Sequence, residues 1–197
     1  MKTRTISLKR ETKETTISLT LALDESGPQD ITTDVPFFSH LLHAMSFHGG
    51  FGLTLTARGD VDIDAHHLVE DTGLVLGDAL KAAIADSPAF ARYGHAVIPM
   101  DDALAEAAVD VSGRPTLVYR ARYPQALVGS FQTALIREFL TALVQRAAIS
   151  LHALIRSGEN SHHMAEALFK ALGKAISRAF DIRGVNRSGL STKGTLG

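Results

Sequence analysis

The strongest constraint on the fold is a repeat. Residues 64–80 read "DAHHLVEDTGLVLGDAL" and residues 160–176 read "NSHHMAEALFKALGKAI". Each carries His-His-x-x-Glu and then, after the same gap, Leu-Gly-x-Ala. His66 and His162 are 162 − 66 = 96 residues apart, as are His67 and His163, and Glu70 and Glu166. The same shift lays "ISLHA" (149–153) over "LTLTA" (53–57). A two-copy repeat is not a solenoid. It predicts one α+β domain of two similar α/β halves, residues 1–88 and 89–197, related by a pseudo-two-fold axis. Each half should be a mixed sheet with two helices on one face.

The local patterns fit that plan. Ile17, Leu19, Leu21 and Leu23 alternate with polar residues, a period-two strand that "DESGP" (24–28) ends. "FFSHLLHAMSFHGG" has helical spacing and stops at paired glycines. "FGLTLTARGDVDID" reads as strand, and His66 to about Ala85 as helix. In the second half "AVIPM", "LAEAAVDVSG" and "PTLVYRARY" read as strands, "SFQTALIREFLTALVQRAA" as helix, "ISLHALI" as strand and Ser161 to about Phe180 as helix. The Gly- and Ser-rich end from Arg183 reads as loop or tail.

Composition excludes several classes. A net charge of −1 gives no general affinity for nucleic acid or anionic membrane. With no cysteine, disulfides and thiolate metal sites are impossible. No apolar run approaches a membrane span and the N-terminus lacks a signal-peptide core, so the expected location is the cytoplasm. Neither GxxxxGK[ST] nor GxGxxG occurs, so no nucleotide fold is implied.

On a helix, residues four apart share a face and adjacent residues diverge by about 100°. His66 and Glu70 therefore converge while His67 aims elsewhere, and the same holds for His162, Glu166 and His163. One motif can thus serve two metal ions, and two motifs can complete two ions jointly. A lone His-His pair is more often a solvated surface pair. Two copies with a glutamate at the same offset argue against that coincidence. Imidazole with carboxylate suits Mn, Fe, Co, Ni or Zn, and the absence of sulfur ligands argues against Cu(I) and iron–sulfur clusters. His40 and His152 extend the pool to eight candidate ligands, four per ion, which leaves an octahedral ion two open positions for substrate or water. Arg92 and Arg114 beside glycine turns, with Ser191 and Lys193 in "STKG", form a candidate phosphate-binding set.

"KETTISL" (13–19), "PFFSHLLHAMSFHGGF" (36–51), both histidine motifs, "RYGHAVIPMDDALAEAAVDVSGRP" (92–115) and "STKG" together resemble the imidazoleglycerol-phosphate dehydratase family, in order and over nearly the whole chain. The resemblance implies an enzyme of histidine biosynthesis. It would hold two Mn2+ ions per site and dehydrate imidazole glycerol phosphate to imidazole acetol phosphate through a metal-bound imidazolate. It implies metal ligands at His40, His66, His67, Glu70, His152, His162, His163 and Glu166, most of them also meeting substrate. Phosphate contacts would come from Arg92, Arg114, Ser191 and Lys193 with help from His48. Glu14 would contact substrate and is the nominated general base, with Asp101 or a metal-bound hydroxide as rivals. The expected assembly is a homo-oligomeric shell of two dozen subunits with sites at their contacts.

The chain departs from the family pattern at Ser39, Ala44 and Leu68, where Asp, Gln and Thr are usual; Ala44 should make phosphate binding lean harder on the arginines and Lys193. The competing class is a non-catalytic di-metal storage protein. It would have no use for the arginines, and its carboxylate-bridged bundles need four long helices in place of alternating strands. A binuclear phosphate-ester hydrolase is a third alternative.

Overall fold

The computed structural model describes residues 4–85 and 89–183. Two four-stranded sheets carry the same topology. In the first half β1 (Thr5–Glu11), β2 (Thr15–Ala22), β3 (Ile31–Thr33) and β4 (Gly52–Gly59) are ordered β1-β2-β4-β3. In the second half β5 (Tyr93–Met100), β6 (Ala103–Asp110), β7 (Thr116–Arg120) and β10 (Ser150–Ser157) are ordered β5-β6-β10-β7. Each sheet has two antiparallel pairings and one parallel pairing at an edge, β3 with β4 and β7 with β10. The helices follow corresponding strands: α1 (Pro36–Gly49) after β3, α2 (His66–Ala85) after β4, α3 (Leu135–Ala147) after β7 and α4 (Ser161–Ala179) after β10. The expected pair of α+β halves, each a mixed sheet covered by two helices, is what forms.

Two boundaries differ from expectation. The strand expected over 51–64 ends at Gly59, because residues 60–65 turn to present the start of α2. The third helix begins at Leu135, since residues 127–132 form a short antiparallel ladder, β8 (Leu127–Val128) with β9 (Phe131–Gln132).

The two halves are joined through their helices, α1 against α4 and α2 against α3. The duplicated Leu-Gly-x-Ala supplies the contact points. A Cβ on Gly173 would lie 1.9 Å from the Met45 carbonyl oxygen, and one on Gly77 would lie 2.6 Å from the Leu143 carbonyl oxygen. Only glycine lets the two backbones come this close. Shifting α1 by 98 residues onto α3 matches Met45 with Leu143, Gly49 with Ala147 and every buried position of one helix with a buried position of the other. The core between is apolar, with the Phe139 ring in contact with both Phe38 and Phe169 and all three fully buried.

Candidate metal centre

Both histidine pairs sit in the first turn of a capped helix. The Asn160 side-chain oxygen accepts the amides of His162 and His163 at 2.9 and 3.4 Å, and Asp64, its repeat partner, accepts the His66 amide at 2.7 Å. Asn and Asp suit this place because their short side chains satisfy donors that have no partner inside the helix.

At the second motif three donors converge, two from α4 and one from α1 of the other half. His40 Nε2 and His162 Nε2 lie 3.1 and 3.2 Å from the same Glu166 oxygen, Oε2, and one ligand atom from each residue falls within 4.8 Å of the others. An ion holding such donors at about 2.1 Å would set neighbouring ligands about 3 Å apart, so the spacing fits a divalent metal. Among the described residues this is the one such group of three. Phe37 packs against both imidazoles, at 6.0 and 4.9 Å between ring centroids, and narrows their freedom. Glu166 is nearly buried. Burial pushes its carboxyl up, but hydrogen bonds from Lys170 (2.9 Å) and His40 and their charges outweigh it and hold it at about 2. It stays an anion at any pH near neutrality, as a metal ligand must.

The first half is looser. His66 Nε2 and Glu70 Oε2 are 3.8 Å apart and both half-exposed. The register of α1 on α3 places Glu138, partly exposed in the first turn of α3, where α1 carries His40. The sequence repeat gave no sign of Glu138, because α1 and α3 align with an offset of 98 and carry different residue types there.

His67 and His163 point away from these groups, as the helical angle requires. Each finds carboxylates instead. His67 Nδ1 lies 3.1 Å from Asp60 and 3.8 Å from Glu14; His163 Nδ1 lies 2.7 Å from Asp102, with Asp101 3.6 Å from its Nε2. The Asp60 hydrogen bond, partly opposed by desolvation and helped by the charges of Glu14, Asp60 and Asp64, raises the His67 pKa. Glu14 and Asp101 occupy the corresponding hairpin turns, β1–β2 and β5–β6. Asp60 and Asp102 were not singled out in the sequence, because neither lies at a repeat offset from the other.

His152 does not join the cluster of its own chain. On β10 it alternates with Leu151 and Ala153, which are buried beneath the helices, so its side chain is exposed on the sheet's outer face. Arg92 is also remote: its amide donates to the Ala179 carbonyl at the far end of α4, about 25 Å of helix from His162. There its guanidinium forks onto Asp110 at 2.8 and 3.3 Å, a hydrogen bond that raises its pKa. Arg114 is exposed in the β6–β7 connection, on the same side as Ser150 and the start of β10. His48, at the end of α1, faces Lys170 and Lys174; desolvation first and then these charges lower its pKa. Ser191 and Lys193 lie outside the described residues.

A family model described as imidazoleglycerol-phosphate dehydratase matches residues 33–176. The imidazoleglycerol-phosphate dehydratases of Bacillus velezensis and Halalkalibacterium halodurans are 49% and 47% identical to the chain, covering 95% and 98% of it and 96% and 100% of their own lengths. Among solved structures, the Staphylococcus aureus dehydratase superposes with a TM-score of 0.78 at 38% identity, covering 89% of this chain and 98% of its own. The Pyrococcus furiosus enzyme, in complex with (S)-C348, superposes with a TM-score of 0.83 at 35% identity, covering 96% and 100%.

Proposed function

The chain belongs to the imidazoleglycerol-phosphate dehydratase family, and from that premise we propose that it is a metal-dependent hydro-lyase of histidine biosynthesis, dehydrating imidazole glycerol phosphate with two Mn2+ ions per site. The observation that carries the metal part is the convergence of His40, His162 and the anionic Glu166 on one point. His66 and Glu70 are the counterpart on the first motif helix, and His152 completes a shell in a neighbouring copy. His67 and His163 diverge from these groups and serve ions gripped by other motifs.

The proton to be removed sits on a carbon beside a hydroxyl and is barely acidic. Metal ions held by His40, His162 and Glu166 and by their repeat counterparts would supply Lewis-acid stabilisation of negative charge on the ring. The protein's residues do the rest. Glu14, 3.8 Å from His67, stands beside the metal ligands on a solvent-facing turn, where a carboxylate can take the carbon-bound proton. Asp101 holds the corresponding place beside His163 in the other half.

Phosphate recognition favours an oligomer. Arg92 lies about 25 Å of helix from His162 in the same chain, and a substrate with a three-carbon linker between ring and phosphate cannot bridge that distance. Arg92 and Arg114 of one copy then serve the metal groups of another, as in the expected shell of two dozen subunits. This also accommodates His152, whose outward face is available only to a neighbour.

The test is turnover of imidazole glycerol phosphate by metal-stripped protein, with Mn2+, Zn2+ or nothing added back. Turnover should return with Mn2+ and be absent without metal, and Glu70→Gln should stay folded but inactive. Equal turnover with and without metal would overturn the mechanism. Release of inorganic phosphate would point to an ester hydrolase, and metal uptake without turnover to a storage protein.

A further inference from the structure

The proposed function uses His67 and His163 as metal ligands, and at Nδ1 of each ring stands a carboxylate. The Asp102 carboxylate receives His163 Nδ1 at 2.7 Å and is itself held by the backbone amides of Glu159 and Asn160, at 2.5 and 3.0 Å. The Asp60 carboxylate straddles His67 Nδ1, with its oxygens at 3.1 and 3.3 Å. A carboxylate accepts but does not donate, so each Nδ1 carries a proton, and in the neutral ring each Nε2 is left with the lone pair. That is the tautomer a metal ligand needs, and a carboxylate behind an imidazole also fixes the ring plane and raises its basicity.

We propose that Asp60 and Asp102 are positioning residues that hold His67 and His163 as Nε2 metal ligands, Asp102 being the stronger of the two. This rests on the metal reading of the two motifs. The pair is convergent within one chain. Asp60 follows β4 and directly precedes its own motif, whereas Asp102 lies in the β5–β6 turn, yet both reach the second histidine of a motif at the same ring nitrogen. Asp102 is the more rigid because two amides pin it and its contact is shorter. No backbone amide among the described residues anchors the Asp60 carboxylate in this way.

Two measurements on the full-length protein test this. In metal-free, 15N-histidine-labelled protein, the shifts of His67 and His163 should report Nδ1–H tautomers, and Asp102→Asn should convert His163 in part to the Nε2–H form. Chelator competition should show Mn2+ binding weakened about 10- to 100-fold by Asp102→Asn and less by Asp60→Asn. Asn160→Ala separates positioning from simple loosening of the α4 start, since it removes the cap and keeps the carboxylate; it should lower the melting temperature and leave the His163 tautomer unchanged. Wild-type tautomers and Mn2+ affinity in both Asp→Asn variants would overturn the proposal while leaving the metal site intact. Failure of the wild-type protein to bind Mn2+ would instead overturn the metal reading beneath it.

Discussion

His162 and His66 hold the same place in two copies of one helix, yet their surroundings differ. Around His162, α1 brings in His40, Glu166 is buried, and Lys170 and Phe37 close the group. Around His66, Glu70 stands 3.8 Å away and half-exposed, and the register position that holds His40 on α1 is Glu138 on α3. Duplication has kept the candidate ligands on the motif helices, while the facing helices differ. The second motif takes part in a three-donor group, while the first shows no such group among the described residues. The same asymmetry reaches the contact between helices, where Gly173 meets Met45 more closely than Gly77 meets Leu143.

The largest effect that follows is on stability. Gly173→Ala puts a methyl group 1.9 Å from a backbone oxygen, so α1 and α4 must part, at a cost of about 3 kcal/mol. Parting them also breaks the register that brings His40 to Glu166. Gly77→Ala meets its nearest atoms at 2.6 and 2.7 Å, one of them the Arg146 side-chain Cβ, and alanine's better helix propensity offsets part of the strain, leaving about 1 kcal/mol. Thermal denaturation of both variants checks the order, and Mn2+ affinity should fall further in Gly173→Ala. Equal losses would remove the asymmetry between the helix pairs.

Next comes the carboxylate itself. Glu166→Gln should cost the metal-free protein about 2 kcal/mol near neutral pH, because it leaves Lys170 and His40 without their anion in a nearly buried place. Glu70→Gln removes an exposed i,i+4 contact and should cost less than about 0.5 kcal/mol. The pH dependence follows from the depressed Glu166 pKa. Its contribution is fully present above the ordinary value of 4.5 and is lost as pH falls through about 2. The gap between wild-type and Glu166→Gln melting temperatures should therefore close in that window. A gap that persisted unchanged to pH 2 would mean that the charge of Glu166 is not what stabilises the group.

The parts of this contrast that could be seen in sequence share a physical reason. The motif residues recur at one offset and the ladder strands at a period of two, so the halves, the helices and the divergence of His66 from His67 follow from spacing alone. Asp60, Asp102 and Glu138 could not be found that way. Their roles depend on how a turn or a facing helix is laid against the motif, and that is set by tertiary packing of different local sequences. His152 shows the opposite limit: its place on the strand before the motif could be read along the chain, but the alternation of β10 turns it to the outer face, away from the motif of its own chain. Arg92 was found as a cation beside a glycine turn, but the length of α4, which places it at the far end from His162, enters only with the fold.

The smallest effect concerns the caps, where Asp64 and Asn160 do the same work with different charge. An anionic cap should be favoured at a helix N-terminus by a few tenths of a kcal/mol. In the second half that advantage is opposed, because the Asp102 carboxylate already accepts the Asn160 amide, at 3.0 Å. Asn160→Asp would set a second carboxylate beside the first and should lose a few tenths of a kcal/mol despite the helix dipole. Asp64→Asn in the first half should be neutral within about 0.5 kcal/mol, since the amide oxygen can still accept from His66. A double-mutant cycle of Asn160→Asp with Asp102→Asn isolates the term: the penalty of the first should shrink or reverse when the second removes the neighbouring charge. Additive effects would mean that Asp102 does not govern the cap, and that the neutral asparagine at the head of the second motif has no electrostatic cause.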